Sequence, residues 1–232
     1  MIIFVHDSDL HYGKYKLEPR RNKEKHPESI ISSRAQFVIV TGDLTENGYD
    51  GKRFGCFRYG GDEDQLSPFL KNYVAPIEES GREVYLCAGN HDRGKRFLGI
   101  SIYPAVKRLI QKRHGGSKYT FRKGDLKFIC CHECPSDIKW LKKQLNDQDQ
   151  PTIIFFHFNL QGPFSDWWSQ KQKDVFYAAI KDYNIVGILV GHHHLNQVSE
   201  WKGIKVINSA NQFSYILYDP LQEKIVNVIC RH

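Results

Sequence analysis

The sequence predicts a layered α/β fold, on three observations. Five apolar runs, at residues 2–5, 37–40, 84–87, 153–156 and 186–190, have the length and the Val, Ile and Phe content of buried strands. Helix-like segments alternate with them, the pattern of helices packed on a largely parallel sheet. Each run is also followed closely by a polar cluster: Asp9-Leu10-His11, Gly42-Asp43, Gly89-Asn90-His91-Asp92, His157 and Gly191-His192-His193-His194. Ligands of open α/β sheets bind beyond the carboxyl ends of the strands. Five strands would therefore bring Asp, His and Asn to one edge, which is how a binuclear metal site is assembled.

The elements follow in chain order. After the first strand, residues 12–34 are rich in Lys and Arg and lack an i, i+3, i+4 apolar stripe, so a basic loop leads to a short helix over 27–34. Glycines at 48, 51, 55, 60 and 61 mark residues 48–64 as a loop. A helix over 63–79 is expected to break at Pro68 and Pro76, and another runs over 103–114. Residues 118–121 and 127–131 form a hairpin closed at Gly124-Asp125. Ser136 caps a helix reaching Leu145, with Ile138, Leu141 and Leu145 on one face. Residues 166–183 form another helix, and strands at 205–208, 213–218 and 225–229 finish the chain. The polar clusters run almost end to end, so residues 1–232 read as one domain.

Composition narrows the function. The 232 residues are 41% hydrophobic and 25% charged, ordinary for a soluble globular protein with a core of its own. No run approaches the ~18 apolar residues of a membrane helix. The apolar start ends at His6-Asp7, too short for a secretory leader, so a cytoplasmic protein with no membrane partner is expected. A net charge of +7 serves solubility or draws an anionic substrate. The six cysteines form no disulfide framework, and Cys131-His132-Glu133-Cys134 lacks the second pair of a zinc site.

The five ordered blocks, spanning residues 9–194, resemble the signature of the calcineurin-like metallophosphoesterases: Asp-x-His, Gly-Asp, Gly-Asn-His-(Asp/Glu), His and Gly-His-x-His. The resemblance implies a four-layer α/β/β/α sandwich and a dinuclear metal-dependent phosphoesterase. Asp9, His11 and His194 would hold one ion, Asn90, His157 and His192 the other, and Asp43 would bridge both. Carboxylates, imidazoles and an amide suit Mn, Fe, Zn or Ni, and two such ions would acidify a bridging water and clamp the phosphate. His91, left without a metal, would protonate the departing oxygen or steady the charge on the phosphate. In the related protein phosphatases its partner is an Asp three residues after the bridging one, a place held here by Glu46. Asp92 would tie the loop.

The loops are where this chain departs from the simplest members of that family. Arg53 and Arg58, amid Phe54, Phe57 and Tyr59, are candidate substrate contacts, and His193 is a third. Phe164, Trp167 and Trp168 follow His157; aromatics among arginines stack a base, but they also close small cores under long loops, the reading preferred for the two tryptophans. The expected substrate is small and phosphorylated, a phosphodiester or a nucleotide. A phosphomonoesterase or a nuclease is the alternative within the class. A catalytically silent scaffold and a basic nucleic-acid-binding module are the alternatives outside it.

Overall fold

The computed structural model describes residues 1–13, 23–51, 53–54, 57–58, 64–94, 96–97, 100–101 and 105–230. Two sheets carry the architecture. In chain order the strands are β1 (Ile2–Asp7), β2 (Phe37–Thr41), the short pair β3 (Arg53–Phe54) and β4 (Phe57–Arg58), β5 (Glu83–Cys87), and a second short pair, β6 (Arg96–Phe97) and β7 (Ile100–Ser101). Then come β8 (Tyr119–Lys123), β9 (Leu126–Cys130), β10 (Thr152–Phe155), β11 (Ile185–Val190), β12 (Asn196–Trp201), β13 (Ile204–Ser209), β14 (Ser214–Asp219) and β15 (Lys224–Cys230). The first sheet has the order β15-β14-β1-β2-β5, the second β12-β13-β11-β10-β9-β8. β1, β2 and β5 run parallel, as do β9, β10, β11 and β13.

Side-chain alternation shows why the sheets stack. In β10, Ile153 and Phe155 join the core shared with the first sheet, whereas Ile154 joins a second core with Ile129 and Ile188. A strand with both faces apolar must be covered twice. The first sheet supplies one cover. The other is made by α5 (Ile138–Gln144) and α6 (Gln170–Ile180), through Leu141, Phe176 and Ile180. On the far side, α1 (His26–Ile31) packs on α3 (Ala75–Glu79), and both α3 and α4 (Ala105–His114) lie against β5. The result is the α/β/β/α sandwich that the resemblance implied.

Several boundaries differ from expectation. Pro68 does not break its helix, because it sits in the first turn of α2 (Leu66–Phe69), where its missing N–H is not needed. Ahead of Pro76 the chain widens instead into a π turn, Leu70–Val74, which runs directly into α3 with Pro76 in its first turn. Asp137, not Ser136, caps α5, its carboxylate accepting from Trp140 N–H. The segment at 166–183 holds a 3₁₀ turn (Ser165–Trp167) and then α6, started by a Ser169–Gln172 capping box. β12 was not expected at all. Cys130 and Cys131 are buried thiols, and among the described residues no cysteine joins a potential metal cluster. Among the described residues no helix is long and apolar enough to cross a membrane.

Candidate metal centre

The carboxyl ends of β1, β2 and β5 face those of β10 and β11, and the polar clusters lie in the seam. Hydrogen bonds sew it shut, among them His157 Nδ1 donating to Thr41 O at 2.7 Å and His192 N–H donating to Asp9 Oδ2 at 2.9 Å. Asp9, His11, Asp43, His192 and His194 all hold φ between 50° and 69°. The left-handed region costs non-glycine residues ~1–3 kcal/mol each and tends to be kept at functional sites. Two glycines make room. A Cβ on Gly89 would sit 2.1 Å from Asp43 Oδ1, and one on Gly191 would sit 2.0 Å from Ser8 Oγ and 2.6 Å from Asp9 Oδ2.

The seven residues expected to hold metal come together. Asp9, His11, Asp43 and His194 form one cluster of potential donors, and Asp43, His157 and His192 a second, so Asp43 belongs to both. His194 Nε2 lies 3.1 Å from Asp9 Oδ1; His157 Nε2 lies 3.3 Å from Asp43 Oδ2 and 3.0 Å from Asn90 Oδ1. The other edges of these groups are already committed. Asp9 Oδ2 accepts from Ser8 Oγ and His192 N–H, and Asp43 Oδ1 accepts from His91 N–H. What remains is Asp9 Oδ1, His11 Nε2, Asp43 Oδ2 and His192 Nε2, all buried and none in a well-formed hydrogen bond; the two carboxylate oxygens have only imidazole nitrogens beside them. Buried polar atoms are rarely left so. Two fully buried carboxylates with imidazole nitrogens turned toward them fit cations.

The electrostatics agree. Burial opposes charge on His157, yet Asp43 and Asp9 raise its imidazole to about 10. Burial also works against the Asp43 carboxylate, but His157 brings it down to about 2. Asp9 is lowered as well, against its burial, by His194, His157 and Lys23. The seam is thus built to hold positive charge. Lys23 gives part of it: buried within the basic segment, its ammonium donates to Ser8 O, to Asp9 O at 2.9 Å and to Ala210 O at 3.0 Å. Nothing in the sequence separates Lys23 from its basic neighbours.

Around this centre the expected roles sort themselves by geometry. The Glu46 carboxylate accepts from His11 Nδ1 at 2.8 Å, which leaves His11 Nε2 facing inward. His91 Nδ1 is held by the main-chain oxygen of Glu46 at 2.9 Å, with the carboxylate 3.9 Å away. Asp92 ties the loop: it accepts from the N–H groups of Leu44, Thr45 and Gly89 and from Thr45 Oγ1. Burial and the Asp43 charge nevertheless lift Asp92 to about 7. His193 does not join the clusters; it lines a separate cavity with Asn159, Gln161 and Asn208. The side chains of Arg53 and Arg58 lie outside the described residues. Trp168 is buried in the second core, whereas Trp167 is half exposed beside His192.

Comparison with known proteins follows the same line. No curated protein sequence matches the chain. Among solved structures, a dimetal phosphatase from Danio rerio superposes with a TM-score of 0.64 at 13% identity, covering 93% of this chain and 92% of that one. GAP50 of Plasmodium, described as the anchor in the inner membrane complex, gives 0.59 at 12% identity, covering 99% and 88%. TT1561 of Thermus thermophilus gives 0.55 at 13%, covering 99% and 98%. At these identities the likeness is one of fold. The family assignment rests on sequence: the model of the calcineurin-like phosphoesterases matches residues 3–196, so the chain belongs to that family.

Proposed function

We propose that this chain is a dinuclear metal-dependent hydrolase of small phosphate esters, acting on a phosphodiester or a nucleotide. The observation that carries the reading is the convergence of buried carboxylate oxygens and imidazole nitrogens on Asp9, His11, Asp43 and His192, which meet only one another and neighbouring imidazoles, at the facing ends of two sheets. Fold alone does not carry it, since the Plasmodium anchor shares the fold. A pair of bound metal ions would supply an activated water and neutralise charge on the phosphate.

The remaining roles fall to the chain's own residues. Asp9, His11 and His194 are assigned to one ion and Asn90, His157 and His192 to the other, with Asp43 shared. Thr41 O and Glu46 fix the tautomers of His157 and His11, so that each presents Nε2 inward. His91 has Nδ1 tied to Glu46 O and is 37% exposed on its side chain, which leaves Nε2 to meet the leaving oxygen.

The test is a hydrolysis screen of metal-reconstituted protein. It pairs bis-p-nitrophenyl phosphate with the monoester, then takes cyclic and linear nucleotides. Turnover of none of them would end the reading. His91→Ala should keep both metals and lose ~10²–10⁴-fold in turnover on alkyl esters, the usual worth of a positioned acid. Nitrophenyl esters, whose leaving group needs no proton, should lose less. Equal losses on the two ester types would remove His91 from the acid role.

A further inference from the structure

Next to His91 the surface opens into a cavity of about 420 Å³ whose lining includes Trp167, Tyr49, Asn47, Asn90 and Arg93. Its indole wall comes from the loop between β10 and α6. That loop is laced internally: Asn159 Nδ2 donates to Gln161 O and Pro163 O, and buried Trp168 donates from its indole to Asn159 O. A fixed loop could have turned its rings inward. Instead Phe164 holds φ 60° and stays 56% exposed, and Trp167 stays 50% exposed. Trp167 stacks on buried Phe158 at 5.3 Å between centroids, and both rings stand about 5 Å from His192. The indole is thus a supported flat face beside the metal cluster, in the same cavity as His91.

Tyr49 and Gly94 aside, the remaining lining is polar: Glu46, Asn47, Asn90, His91 and Arg93. Arg93 is fixed by Glu133, its Nε donating to the carboxylate at 2.8 Å, and its guanidinium lies 6.0 Å from the Phe158 ring centroid. An alkyl chain entering here would strip water from Asn47, Asn90, His91 and Arg93 without replacing the hydrogen bonds. A planar heteroaromatic ring presents a π face to the indole and donors and acceptors to the polar edge. The cavity falls in the range that takes ligands larger than a single ring.

We infer that the Trp167 wall seats the nucleobase of a nucleotide phosphoester and that Trp167 is the residue that selects it. The inference rests on the phosphoesterase reading and narrows it to substrates bearing a base. The test compares esters that differ only in the base: adenosine 5′-phosphate and its methyl ester against ribose 5-phosphate and its methyl ester. In the wild type, kcat/KM should favour the adenosine compounds. Trp167→Ala should cut that preference about tenfold, within the usual worth of one base stacked on an aromatic ring, while Trp167→Phe keeps most of it. A preference that is absent in the wild type, or unchanged in Trp167→Ala, overturns the inference. Should no ester be hydrolysed, the phosphoesterase reading fails by itself. Calorimetry of adenosine 5′-phosphate on manganese-loaded protein then decides the subsite: about tenfold weaker binding in Trp167→Ala than in Trp167→Phe upholds it, and equal binding overturns it.

Discussion

At the scale of single residues, the chain separates groups that would touch metal from groups that aim them. We assign Glu46 to the second set on its bond to His11 Nδ1. Its carboxylate is spent on His11 Nδ1, so Glu46→Ala should weaken metal binding ~10–100-fold, the usual effect of losing such an outer partner. Excess metal should restore most of the turnover. Metal titration showing unchanged affinity with turnover still lost would place Glu46 with His91 instead. The clustering of these side chains was legible in the sequence because their short blocks each follow an apolar strand in a fixed order. The support was not. Asp7 Oδ2 accepts from both His26 Nδ1 and Tyr73 OH, a buried network joining β1, α1 and the π turn. Asp7 and His26 matched no block, and Tyr73 is 66 positions from Asp7. No local spacing announces such a contact.

At the scale of elements, periodicity located the buried strands well and the helix starts poorly. β12 escaped because it lies at the sheet edge, where Gln197, Val198 and Glu200 face solvent and the apolar pattern vanishes. Its one signal is the turn at Lys202-Gly203, where both residues hold positive φ between Trp201 and Ile204. Helix starts depend on one hydrogen bond, and neighbouring Ser and Asp compete for it, as Ser136 and Asp137 do. For α6 the capping box makes the start testable. Ser169→Ala should cost ~1 kcal/mol of stability, as measured by urea unfolding, and leave metal content unchanged. No loss would mean that the Ile180 and Phe176 contacts alone position the helix.

At the scale of the whole molecule, buried histidines outside the centre tie stability to pH, His114, His6 and His132 among them. His114 Nε2 accepts from Leu86 N–H while its ring stacks on Tyr119 at 4.3 Å; burial and Arg113 lower it to about 4. Burial lowers His6 to about 3, though Asp7 pulls the other way. Unfolded histidine titrates near 6.5, so the unfolded chain takes up these protons first. The stability they lend is complete above about 6.5 and falls as the pH drops toward 4 and then 3. His114→Phe keeps the stack and should flatten the slope of the unfolding midpoint between pH 6.5 and 4. An identical acid slope in that variant would assign the loss elsewhere. The topology also sets an order of events during synthesis. β1 lies between β2 and β14, so one of its edges waits until residues 214–219 have left the ribosome. Pairing over such a separation is slow, and an open apolar edge invites association with other chains. The first donors, on Asp9 and His11, likewise wait for those on His192 and His194. A nascent chain therefore could not bring these side chains together until residues up to 194 exist, and capture of metal ions would report that the two sheets have met.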